Sequence, residues 1–100
     1  MEAFQTIHIK ADTPYACGVQ YGQQAKEKIR AGVEVYRRYF AKTSDKSWDK
    51  IQQYAMAYLP DIKQMMPEVL EEAYGIADGA GVSIEDLMVL NCRYEITKFP

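Results

Sequence analysis

One hundred residues suffice for one domain or part of one, and not for two, because a chain this short can bury only a single core. Hydrophobic residues make up 48% and charged residues 26%, an ordinary globular balance that argues against disorder. Twelve basic residues against fourteen acidic ones give a net charge of −2, with no one-signed run of the kind a polyanion-binding stripe needs, so nucleic acid is set aside as a partner.

Residues 4–10, FQTIHIK, place Ile7 and Ile9 on one side of an extended chain and Thr6, His8 and Lys10 on the other, the two-residue period of a half-buried strand. A strand must pair, and nothing else in the chain reads clearly as one, so the expected partner lies on another polypeptide. The opening MEAFQTIHIK lacks a basic start followed by an apolar block, and no apolar stretch nears the roughly 20 residues that cross a bilayer. The expectation is a cytoplasmic chain without a membrane partner.

Thr13-Pro14 is a strong helix start: a threonine oxygen accepts an orphan N–H, and proline at the first helical position sacrifices no hydrogen bond. One long helix is predicted to follow, with Tyr15, Val19, Gly22, Ala25, Ile29, Val33, Tyr36 and Phe40 recurring at three- and four-residue steps. Gly18 and Gly22, one turn apart, each cost about 1 kcal/mol of helix propensity relative to alanine. Close approach of another backbone would explain them. Ser44-Asp45 or Ser47 caps a second helix carrying Trp48, Ile51, Ala55 and Leu59. Pro60 and Pro67 are expected to open new helical segments, since an interior proline removes a hydrogen bond and clashes with the previous turn. A third helix runs from about Pro67 to Ala80, with Glu68, Glu71 and Glu72 near its positive end and Gly79 or Gly81 as its stop. Ser83 to Asp86 resembles a capping box opening a short helix with Leu87, Met88 and Leu90. From Asn91 onward, Tyr94, Ile96 and Phe99 fit either a strand or a loop.

A serine- or cysteine-type hydrolase needs a nucleophile, a base within reach and a group that orients the base. The only imidazole, His8, lies on the polar side of the expected strand, where an exposed edge histidine is the plainer reading. Cys17 and Cys92, far apart in the chain, make neither a disulfide framework nor a metal-ligand set, and both are read as reduced thiols. Cys17 reads as a small packing residue. Around Cys92 the run Asn91-Cys92-Arg93-Tyr94-Glu95 is polar, and on an extended segment Arg93 and Glu95 would project to one side. That pair anchors the segment to the fold or lines a polar site. Glu71 and Glu72 point apart on a helix and make a poor acid/base couple. Gly75, Gly79 and Gly81 end a helix and do not open one after a strand, so no phosphate-cradling loop is present.

Three stretches together resemble the N-terminal part of the isopenicillin N acyltransferase family, which includes acyl-coenzyme A:6-aminopenicillanate acyltransferases and related amide hydrolases. They are Thr13 to Ala25, with its Thr-Pro, aromatic and Gly-x-x-x-Gly; Pro67 to Ala80; and Leu87 to Glu95, which is similar to a Leu-Asn-x-Arg-x-Glu pattern. The resemblance implies an α+β fold, the four-layered αββα architecture of N-terminal-nucleophile hydrolases when complete, in which residues 1–100 are a single N-terminal alpha fragment, mostly helical with one strand. It further implies a precursor that cuts itself before a cysteine. The new terminal cysteine on a companion beta chain is the nucleophile, and its own α-amine serves as base, so no catalytic residue is expected in this chain. The family's Cys-Thr-Thr-like junction is absent here, and the abrupt stop at Pro100 is what processing would leave. Asn91, Arg93 and Glu95 are the candidate supporting residues of the substrate pocket. No metal or cofactor is implied, and acyl-coenzyme A is a candidate acyl donor, with an amine or water as acceptor. The competing reading is a freestanding helical interaction module whose long stripe from Tyr15 to Phe40 docks a partner helix. A redox role for Cys17 or Cys92 is weaker, since neither has a resolving cysteine nearby.

Overall fold

Thr13 accepts the Ala16 N–H on its hydroxyl oxygen at 3.1 Å, and Pro14 takes the first helical position, so α1 begins where both residues favour it and spans Pro14–Gln24. The computed structural model describes the backbone of residues 9–96 and the side chains of residues 9–91. Five more helices follow: α2 (Lys26–Thr43), α3 (Trp48–Met56), α4 (Leu59–Met65), α5 (Pro67–Ala80) and α6 (Ile84–Ile96).

The α+β expectation is corrected by this architecture, because the described residues hold six helices and no strand. Residues 4–8 of the expected strand lie outside the described residues. At Lys10 the Gln20 side-chain amide takes the place of a neighbouring strand: the Lys10 N–H donates to Gln20 Oε1 at 2.7 Å, and Gln20 Nε2 donates to the Lys10 carbonyl at 2.6 Å. Both backbone groups that a ladder would use are thus occupied by one side chain of α1. The strand-or-loop reading after Asn91 is corrected at Tyr94 and Ile96, since α6 stays helical through Ile96, while Phe99 lies outside the described residues.

The single helix expected from Tyr15 to Phe40 is two helices joined at Ala25, whose φ of −101° and ψ of 13° leave helical geometry. The hydrogen-bond ladder survives the bend: the Ala25 N–H donates to Tyr21 O and the Ile29 N–H to Ala25 O, both at 2.9 Å. The reason lies in what each half packs against. Gly18 and Gly22 bring α1 into backbone contact with α5, whereas Ile29, Val33 and Phe40 hold α2 a side chain's length from its neighbours. A straight helix cannot do both, because helices separated by side chains stand about 8–10 Å apart.

The α1–α5 contact is reciprocal. A methyl at Gly18 would collide with the Glu72 carbonyl oxygen and lie 2.9 Å from Ile76 N, and one at Gly22 would collide with the Ile76 carbonyl oxygen and lie 2.8 Å from Ala80 N. From the other side, a methyl at Gly75 would strike the Tyr15 carbonyl oxygen, and one at Gly79 the Val19 carbonyl oxygen. Each step of four along α1 matches a step of four along α5, so the two helices run parallel, glycine against backbone at both levels. The backbone that Gly18 and Gly22 were expected to meet is therefore inside this chain.

Ser47 caps α3 through the Lys50 N–H at 3.2 Å, Pro60 sits in the first turn of α4, and Pro67 opens α5. Of the two candidate stops for α5, Gly81 is the one used: its φ of 72° is left-handed, which an L side chain adopts at a cost of about 1–2 kcal/mol. Only Lys26 Cε at 3.8 Å would face a methyl there, so Gly81→Ala is expected to destabilise by about 1 kcal/mol through backbone strain alone. Chemical denaturation with an unchanged m-value checks this, and Gly81→Asn should recover part of the loss.

Helix α6 ties the molecule together. Its Met88 and Val89 enter a cluster with Phe40, Ile51 and Ala55, while Leu87 enters a second with Ala25, Ile29, Ala73, Ala77 and Ala80. Three of the four alanines of the second cluster, Ala73, Ala77 and Ala80, belong to α5 and keep that packing close. Among the described residues, no helix is long and apolar enough to cross a membrane.

Candidate functional site

The second cluster does not close completely. Where α1, α2, α5 and α6 meet, an open groove of about 380 Å³ is lined by Tyr21, Ile29, Glu72, Ile76, Leu87, Leu90 and Asn91. Helical spacing accounts for each wall. Leu87, Leu90 and Asn91 are three and four apart on α6, and Glu72 and Ile76 are four apart on α5. Tyr21 on α1 reaches the groove because its neighbour Gly22 draws that helix onto α5. Ile29, Ile76, Leu87 and Leu90 form most of the lining, and Tyr21, Glu72 and Asn91 are its residues with polar groups.

The three stretches singled out in the sequence, Thr13 to Ala25, Pro67 to Ala80 and Leu87 to Glu95, each contribute to this lining. Tyr21 belongs to the first, Glu72 and Ile76 to the second, and Leu87, Leu90 and Asn91 to the third; of the lining residues, only Ile29 falls outside them. The first two stretches are also the two helices joined glycine to backbone.

Among the expected supporting residues, Asn91 is exposed and lies on this groove. Arg93 and Glu95 continue the same helix, and their side chains lie outside the described residues. The extended segment on which those two would share a side is replaced by helical backbone, which turns about 100° per residue. His8 lies outside the described residues, as does the Cys92 side chain. Cys17 is half-buried in the first turns of α1, its Sγ donating to the Ala11 carbonyl at 3.6 Å, a packing role. Among the described residues, no three His, Cys, Asp or Glu side chains gather as a metal site would require.

Two polar contacts were not foreseen. Asp86, expected to complete a capping box with Ser83, supplies half of one: its N–H donates to Ser83 Oγ at 3.0 Å. Its carboxylate serves tertiary structure, accepting from Trp48 Nε1 at 2.8 Å and from Gln52 Nε2 at 2.7 Å. Arg37 stands 3.8 Å from the other carboxylate oxygen and 5.3 Å over the Trp48 ring, so α2, α3 and α6 meet at one acid. The second contact joins the glycine-paired helices at the surface, where Tyr15 Oη donates to Asp78 Oδ2 at 2.5 Å.

This hydrogen bond, together with partial desolvation and the Asp78 charge, holds the Tyr15 phenol above its ordinary value of 10.0. A raised folded-state value means that the contact's contribution is complete below pH 10 and is lost as pH rises through the elevated value. Tyr15→Phe should therefore unfold with a shallower alkaline decline than the parent and differ little in slope at neutral pH. Thermal midpoints from pH 8 to 12 would show it.

No family model matches the chain, and no curated protein matches it.

Proposed function

We propose that this chain is the alpha fragment of a self-cleaving cysteine acyltransferase or amide hydrolase, forming one wall of a substrate pocket whose nucleophile stands on a companion chain. The convergence of three sequence stretches on one groove carries the reading. Segments this far apart in sequence share a surface only through the tertiary fold, and the surface they share has the apolar lining and sparse polar groups of a small-molecule site. Asn91 on the groove, with Arg93 and Glu95 farther along α6, are the residues proposed to support it.

In the proposed chemistry, the companion chain begins with the cysteine freed by self-cleavage. Its α-amine takes the thiol proton, and the thiolate attacks the acyl carbonyl of a thioester or amide. The thiol or amine leaving group departs with a proton and leaves an acyl-cysteine, which an amine or water then cleaves. The proposed setting is the cytoplasm, where thiols stay reduced. A small-molecule acyl donor and an amine acceptor are the remaining partners.

The test is to express the reading frame through the residues that follow Pro100 and to measure intact masses with time. Two chains are expected, the second opening on cysteine and co-eluting with the first in size-exclusion chromatography. A precursor that stays uncut, or one cut before another residue, overturns the proposal. The alternative, a freestanding helical interaction module, is favoured by two clusters of buried residues that form within the chain. Much of its docking stripe is nevertheless occupied, Gly22 by α5 and Ala25, Ile29, Val33 and Phe40 by the interior, while Tyr15 at its start is exposed.

A further inference from the structure

We draw no further inference here: the strongest candidate, the exposed apolar corner that Met65, Met66 and Val69 form where α4 meets α5, carries none because nothing in the structure shows what covers it.

Discussion

Alanine at Gly75 is expected to lower the thermal midpoint by roughly 4–16 °C, equivalent to a loss of about 1–2 kcal/mol in a chain of this size. Two terms oppose each other. Removing a glycine from a helix interior gains up to about 1 kcal/mol of propensity. Against this, the new methyl would strike the Tyr15 carbonyl oxygen and approach Val19 N at 2.9 Å and the Gly18 Cα at 3.0 Å. These are backbone atoms held by the hydrogen bonds of α1 and cannot turn aside as a side chain would. The helices must separate along their length, at a cost of about 1–3 kcal/mol for overpacking. Gly32→Ala supplies the contrast, because its methyl would meet only the Leu90 side chain, at 3.3 and 3.7 Å. That change should be neutral or stabilising. Gly18 and Gly75 face the same gap, so Gly18→Ala/Gly75→Ala should cost less than the sum of the single changes. Equal effects at Gly32 and Gly75, or strict additivity of the pair, would show that the contact is not backbone to backbone.

The same contact shows how far the sequence could be read. Gly18 and Gly22 announce a close approach, since two costly residues one turn apart on a helix face need a reason. Gly75 and Gly79 repeat the spacing, but Gly79 also lies where a helix stop is expected, and only tertiary structure separates packing at Gly79 from termination at Gly81. Helix starts were legible wherever the signal is local: Thr13, Ser47 and Ser83 each accept the N–H three residues on. The bend at Ala25 has no local signal, because it follows from a change of partner between α1 and α2. At Ile9 and Lys10, the described end of the expected strand, the strand reading is corrected for a related reason. Alternation at residues 4–10 fits an extended chain, yet the groups on Lys10 that a strand would use go to a side chain ten residues away. Of the candidate site, Asn91 was legible as a polar residue after an apolar run. The groove was not, because its walls come from four helices and only the fold sets their order in space.

Asp86 is the clearest case of a local reading overtaken by a distant one, and Asp86→Ala is expected to cost about 2–3 kcal/mol. A hydrogen bond to a charged group contributes about 1.5–3 kcal/mol, and a donor left buried without a partner forfeits its desolvation besides. Here the half-buried Trp48 indole and Gln52 amide would lose one shared acceptor, and Arg37 would lose the carboxylate beside it. The two losses overlap and do not sum, because both donors share Oδ1. Asp86→Asn keeps a carbonyl oxygen for the indole and the amide and removes the charge, so it should retain more than half of the stability lost in Asp86→Ala. Trp48 is the only tryptophan in the chain, so its emission reports this corner alone. A red shift at native conditions is expected for Asp86→Ala, with little shift for Asp86→Asn. If both variants kept the parental emission and midpoint, the acid would be no more than a helix-start residue, and the joining of α2, α3 and α6 would rest on the apolar cluster built around Phe40, Ile51, Ala55, Met88 and Val89.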